Sequence, residues 1–214
     1  MIEIKNLSKK YDEDSEIVLK DFKFEDDKSY VILGASGCGK STLLNMITGV
    51  ISADTGEINI DGINIVNLSQ EEKDAYRLKN IGYIFQDFKL IEDVTVMDNL
   101  NILNLGNFKS LPIDEVLDSV GILNKKKSKI KNLSGGEKQR VAIARALIKK
   151  PNIIIGDEPT GNLNFENGKN VIELLMKNGK QTAKNIVVVT HDDRLTKYFD
   201  CVINFEDLIR KEDK

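Results

Sequence analysis

One eight-residue stretch, Gly34-Ala35-Ser36-Gly37-Cys38-Gly39-Lys40-Ser41, limits what this chain can fold into more than any other part of it. It follows a short apolar run, Tyr30–Leu33, that reads as a buried strand, and it opens a segment from about Lys40 to Thr48 that reads as a helix. Glycines spaced G-x-x-x-x-G-K-[ST] let the backbone curl until successive N–H groups point at one anion, and the helix N-terminus adds its positive end. Lys40 supplies a charge that reaches the outer phosphates of a nucleotide. Ser41 offers a hydroxyl to a magnesium ion, and Thr42 lies next to it.

A phosphate loop needs an acidic partner at the end of a neighbouring strand, and Ile153-Ile154-Ile155-Gly156-Asp157 supplies one, with Glu158 following. Asp157 is placed to hold the metal ion directly or through water, and Glu158 to polarise an attacking water as general base. The only histidine, His191, directly follows the strand-like run Ile186–Thr190. In a parallel sheet the carboxyl ends of strands gather on one edge, where ligands bind, so the three side chains are expected together.

Strand signals alternate with helical ones at Glu137–Lys149 and Asn167–Lys177, and a further strand is read at Cys201–Phe205. This predicts an α/β fold with a mainly parallel sheet. The first strands, Ile2–Ile4 and one over Val18–Phe24, and a hairpin of Glu57–Ile60 with Ile63–Val66 about Asp61-Gly62, are separated by turns alone and predict an antiparallel flank. After a strand at Ile81–Phe85, the stretch 87–132 loses strand character. Val96, Leu100 and Leu103, then Val116, Leu117 and Val120, recur at helical spacing there, which predicts a small helical subdomain.

Composition narrows the partners. With 31 basic and 34 acidic residues in 214, the net charge is −3, which argues against nucleic-acid binding by bulk positive charge. No apolar run approaches the roughly 18–20 residues of a membrane helix. Two cysteines, Cys38 and Cys201, are too few for a disulfide framework. Together with a charged amino-terminal pentapeptide, these features predict a cytoplasmic location.

Leu133-Ser134-Gly135-Gly136-Glu137 opens a second helix that continues Lys138-Gln139-Arg140. Two glycines, a serine N-cap and a helix dipole make another anion site. One loop already holds the γ-phosphate, so a second grip is most useful across a dimer interface. With this motif the chain resembles the nucleotide-binding subunit of ATP-binding cassette (ABC) transporters, and the motifs occur in order: Tyr11, Gly34–Ser41, Gln86, Leu133–Glu137, Asp157-Glu158, Gly161–Asn164 and His191.

The resemblance covers nearly the whole chain. It implies one ATPase domain with a P-loop NTPase core (1–86 and 133–214) and the helical subdomain 87–132. It implies ATP and Mg²⁺ as ligands, with Tyr11 stacking on adenine and Gln86, Ser41 and Asp157 at the metal. His191 then contacts the γ-phosphate, while Ser134, Gly135, Gly136 and Glu137 act in trans from a second copy. The segments Phe85–Ile91 with Val94–Val96, and Asp157–Leu163, are similar to the branch of macrolide and bacteriocin exporters and lipoprotein-release ATPases. Those pair with separate integral membrane permease subunits, which would hold this chain peripherally on the inner face of the membrane. Phe88, Leu90 and Ile91 lie where the family forms a groove for a short helix of the permease; packing inside the helical subdomain is the equally weighted reading. Two alternatives stay open: an ATPase module of a signalling or mechanical membrane complex, and a soluble ABC-type ATPase. Asn164 departs from the family's usual aspartate.

Overall fold

In the computed structural model, residues 1–11, 16–103 and 110–210 are described. In chain order they form β1 (Ile2–Lys10), β2 (Glu16–Val18), β3 (Phe22–Phe24), β4 (Lys28–Leu33), α1 (Lys40–Ile47), β5 (Thr55–Ile60), β6 (Ile63–Asn64), α2 (Gln70–Asn80), β7 (Ile81–Ile84), α3 (Val96–Asn101) and α4 (Ile113–Ser119). Then come α5 (Gly135–Leu147), β8 (Ile153–Asp157), α6 (Phe165–Gly179), β9 (Asn185–Thr190), β10 (Cys201–Asn204) and α7 (Phe205–Leu208).

Two sheets result. One is parallel, in the order β10-β4-β9-β8-β7. The other is antiparallel, β2-β1-β5-β6 with β3 also on β1. The parallel sheet was expected from strands alternating with helices, and the antiparallel one from strands separated by turns alone. The inner parallel strands β4, β9 and β8 are apolar on both faces because helices or the second sheet cover each side, whereas the edge strand β10 exposes Val202. Successive side chains alternate accordingly. Ile154, Ile186 and Val188 join α5, α6 and the helical stretch in one core cluster. Ile153, Ile155, Val187 and Val189 join α1 and the antiparallel sheet in another. Val96, Leu100, Val116, Leu117 and Val120 are buried in the first cluster, so the helical spacing in 87–132 marks a real apolar face.

Three expectations are corrected. The predicted strand over Val18–Phe24 is two short strands: Leu19 still donates to Leu7 O of β1 but also bridges Ile209, Lys20 turns its N–H to Leu208 O, and Phe22–Phe24 returns to pair with β1 further along. The second arm of the hairpin stops at Asn64, whose side chain accepts from Val66 N and starts a 3₁₀ turn; Asp61 and Gly62 do adopt the left-handed conformations of a tight turn (φ 49° and 86°). The run Cys201–Phe205 ends one residue early, with Phe205 opening α7.

Parallel register places the site. Leu33 pairs with Thr190 and with Asn204, Asp157 with Val189, and Ile84 with Gly156. The loops that follow these residues therefore leave the sheet along one edge.

Candidate nucleotide site

The loop after β4 closes over its own lysine. Gly37 and Gly39 sit at φ 80° and 108°, which lets the chain turn into α1 with Gly39 as its N-cap. Lys40 is only 5% exposed, and its Nζ donates to the carbonyls of Gly34 and Ala35, both at 2.8 Å. Its ammonium stands 3.9 Å from Cys38 Sγ and 3.9 Å from Glu158 Oε1. Ser41 Oγ donates to Asp157 Oδ1 at 2.9 Å, so the loop and the end of β8 meet as expected. Tyr11 is half exposed and its hydroxyl lies 2.8 Å from Thr42 Oγ1, which places the ring beside the phosphate loop.

Glu158 takes φ 45°, a conformation that costs a non-glycine residue of order 1–3 kcal/mol and concentrates at functional sites. Its backbone N–H donates to Val189 O and its carbonyl accepts from Gly161 N. Its half-sunk carboxylate is 3.0 Å from His191 Nδ1 and accepts from Thr190 Oγ1 at 3.3 Å. Burial pushes Asp157 above the ordinary carboxylate range. The neighbouring charges of Glu158 and Asp87 add to the rise, and the Ser41 hydrogen bond and Lys40 oppose it. Two carboxylates, a hydroxyl and a lysine thus share one rim of the sheet.

Gln86 follows β7, which runs beside β8 and ends level with it. It lies two residues past β7, with its carbonyl accepting from Asn162 Nδ2 at 2.7 Å and its side chain against Gly161. The segment after it is strained: Phe88 and Lys89 are both left-handed (φ 60° and 48°), and the Arg145 guanidinium of α5 holds their two carbonyls. Of the three residues at the expected groove, Leu90 packs on the first core cluster and Ile91 is half exposed.

Ser134 caps α5. Its hydroxyl accepts from Glu137 N at 3.3 Å, while Glu137 accepts from Ser134 N at 2.8 Å and pairs with Lys125 at 3.0 Å. This capping box leaves Gly135 and Gly136 facing a cleft shared with Arg140, Asn162 and Asn164. Among the described residues no hydrogen bond or ion pair joins Ser134–Glu137 to the phosphate loop. Asn164 caps α6, its Oδ1 accepting from Asn167 N at 3.0 Å.

Some participants carry no local signal. Thr190 supports Glu158 across 32 residues of chain. Ile17 and Phe205 pack so closely on Gly39 that a β-carbon there would meet them at 2.6 and 3.2 Å.

The sequence profile of the ABC transporter family matches residues 20–162. The chain is 37% identical over 214 residues to the lipoprotein-releasing system ATP-binding protein LolD of Bacteroides fragilis, covering 97% of this chain and 98% of that one. It is 39% identical over 196 residues to the ABC transporter ATP-binding protein YtrE of Bacillus subtilis, covering 88% and 85%. Its fold superposes with a TM-score of 0.84 on the ATP-binding cassette MJ0796 in a dimeric post-hydrolysis state bound to ADP and Pi, at 33% identity and over 95% and 94% of the two chains. With its phosphate loop, strand-end carboxylates and capped second glycine motif, the chain belongs to the ABC transporter family, as an ATP-hydrolysing nucleotide-binding subunit.

Proposed function

We propose that two copies close head to tail around two ATP molecules and that their closure drives export or extraction through separate membrane permease subunits. The observation that carries this is the division of the site. The Gly34–Ser41 loop, Asp157, Glu158 and His191 lie on one rim, while the Ser134-Gly135-Gly136 turn opens on a different cleft and, among the described residues, has no hydrogen bond or ion pair to a phosphate-binding group. A second copy is the simplest way to bring the two halves to one nucleotide. The dimeric cassette MJ0796 supports the arrangement, and the LolD relative supports a permease partner.

In each site, Tyr11 stacks on adenine and the loop from Gly34 to Thr42, including Ala35, Ser36 and Cys38, wraps the phosphates. Lys40 turns from its own carbonyls toward the γ-phosphate. Glu158 takes the proton of the attacking water, and His191 orients both the water and the γ-phosphoryl group that is transferred to it as ADP leaves. Thr190 positions Glu158 from behind. Ser134, Gly135, Gly136 and Glu137 of the second copy complete the anion site, with Glu137 acting by fixing the cap. The hard oxygen set of Ser41 Oγ and Asp157, 2.9 Å apart, fits Mg²⁺, and burial leaves Asp157 in need of a cation. Ser41, Asp157 and Gln86 would hold that ion, which supplies charge neutralisation at the phosphates. Residues 87–132 act as a helical subdomain within one ATPase domain. Among the described residues no helix is long and apolar enough to cross a membrane, and we place the chain on the cytoplasmic face through its permease.

The test is purification of the tagged chain from solubilised membranes of its own cells, with identification of any integral membrane protein that comes with it. We expect an assembly with two copies of this chain and an ATPase rate per subunit higher than that of the free chain. A chain that stays monomeric with ATP and never co-purifies with a permease overturns the proposal.

Asn164 gives a second prediction. Asn164→Asp retains the cap on α6 and adds a negative charge at its N-terminus, worth about 0.3–1 kcal/mol. The carboxylate would also replace a neutral acceptor at the dimer cleft by a charged one, whose hydrogen bonds are roughly twice as strong. We expect a higher Tm and a kcat raised up to about tenfold at saturating Mg-ATP, equivalent to 1.4 kcal/mol. A higher Tm with unchanged kcat would reduce Asn164 to a helix cap.

A further inference from the structure

The second glycine turn carries a negative charge where it is to receive an anion. Glu137 closes the capping box of α5 with one oxygen: Oε2 accepts from Ser134 N at 2.8 Å and from Ser134 Oγ at 2.9 Å. The backbone N–H of Ser134, then Lys125 and the Ser134 hydroxyl, hold the Glu137 carboxyl below the ordinary range, so it is ionised at neutral pH. The positive end of a helix is equivalent to roughly half an elementary charge, whereas a carboxylate carries a full negative one. Capped by Glu137 alone, the turn Ser134-Gly135-Gly136 would repel a phosphate.

The compensating charge comes from a separate segment. Lys125 ends a 3₁₀ turn, Leu123–Lys125, at the head of the basic run Lys125-Lys126-Lys127-Ser128-Lys129. Its Nζ lies 3.0 Å from Glu137 Oε1, the oxygen that the cap leaves over. Neighbouring cations are committed elsewhere: Lys126 to Asp114 at 2.5 Å, and Lys131 to Asp93 and Lys138 to Glu92 at 2.8 Å each. Arg140, on the wall of the same cleft, donates to Val120 O at 2.7 Å. Both members of the Lys125–Glu137 pair are partly exposed, and such a bridge contributes little to stability. Its effect is on charge. An ammonium on Oε1 returns the positive potential that the carboxylate removes, without disturbing the bonds of Oε2 to the cap.

We propose that Lys125 is a positioning residue of the ATPase. By seating its ammonium on Glu137 it cancels the charge of the capping carboxylate, so that the glycine turn of one copy meets the γ-phosphate bound by the other with the helix potential restored. The inference rests on the head-to-tail dimer proposed above and adds a residue outside the glycine motif on which closure depends. It also separates two properties of Glu137. The cap needs a side chain that accepts from Ser134, which glutamine does as well, whereas the charge is a by-product that Lys125 offsets.

The test is a charge ladder read on dimer formation at saturating ATP, with every chain also carrying Glu158→Gln so that hydrolysis does not disperse the dimer. Sedimentation at several chain concentrations gives the dimer dissociation constant. One partly exposed charge beside a phosphate is expected to shift that constant about threefold per site, hence about tenfold over the two sites. On that scale, Lys125→Met should raise it about tenfold and Glu137→Gln should lower it about tenfold, while the two together return it to within about threefold of the parent. Lys125→Arg should stay at the parent's value. The differences should shrink in about 1 M salt, where charges are screened over roughly 3 Å. The affinity of the separate chains for a fluorescent ATP analogue should not follow the ladder, because the phosphate loop lies on the other rim, and thermal melts check that each variant is folded. If Lys125 only tethers its turn to α5, Glu137→Gln will loosen the dimer as much as Lys125→Met, and the double variant will not recover. That pattern, or an unchanged constant in Lys125→Met, overturns the inference. If the Glu158→Gln parent stays monomeric with ATP, the dimer reading itself fails and the inference falls with it.

Discussion

Replacing Glu158 by glutamine is expected to slow ATP hydrolysis by about 10²–10⁴-fold, the range that a positioned general base contributes, while leaving ATP affinity within a few-fold. The carboxylate is 12% exposed and held by Thr190 Oγ1 and His191 Nδ1, so the amide can occupy the same place and still accept from Thr190. It cannot take a proton from water. It also cannot balance Lys40, whose ammonium is 3.9 Å away, so the lysine is freer to meet the γ-phosphate and binding does not suffer. ATP should then drive the variant from monomer to dimer on a sizing column, because the closed state is no longer dispersed by hydrolysis. Turnover within about threefold of the unaltered chain would move the base to another residue. Slow turnover with lost ATP binding would mean that Glu158 mainly holds the phosphate loop in shape.

The site was legible in sequence wherever chemistry and topology coincide over a few residues. The phosphate loop, Glu158 and His191 each follow a strand directly and Asp157 ends one, and parallel register carries them to one edge. Gln86 was placed by motif order and its position past a strand end, and its side chain lies against Gly161 while its carbonyl accepts from Asn162. What stayed hidden depends on contacts distant in sequence: Thr190 behind Glu158, Ile17 and Phe205 against Gly39, and Arg145 across the turn at Phe88 and Lys89. The helix α2 was not foreseen because it is polar almost throughout, and only Lys73 is buried on it. Its one local signal is the capping box of Ser69 with Glu72, both halves of which form. The break at Leu19 had no signal, because its partner is Ile209 near the other end of the chain.

The glycines of the phosphate loop are expected to differ in how much they tolerate, and the difference separates backbone strain from crowding. A β-carbon at Gly37 meets nothing within 4 Å, so Gly37→Ala carries only the left-handed penalty at φ 80°, about 1–2 kcal/mol. At Gly39, φ is 108° and the same β-carbon would lie 2.6 Å from Ile17 Cδ1 and 3.2–3.3 Å from the Phe205 ring. Overpacking adds roughly 1–3 kcal/mol to the strain. Relief comes most easily from a shift of the loop itself, because Phe205 is buried in the second core cluster. That shift tilts the N–H groups at the start of α1 off the phosphate. Taken wholly in nucleotide affinity, Gly37→Ala should weaken ATP binding about 5- to 30-fold and Gly39→Ala about 30- to 4,000-fold. Titration with a fluorescent ATP analogue gives both values, and scanning calorimetry shows how much appears as lost stability instead. Adding Ile17→Ala to Gly39→Ala opens the tightest contact and should recover part of the affinity, leaving the strain and the Phe205 contact in place. Equal losses at Gly37 and Gly39, or no recovery in the double variant, would mean that strain alone sets the cost and that the packing of Ile17 on the loop is incidental to nucleotide binding.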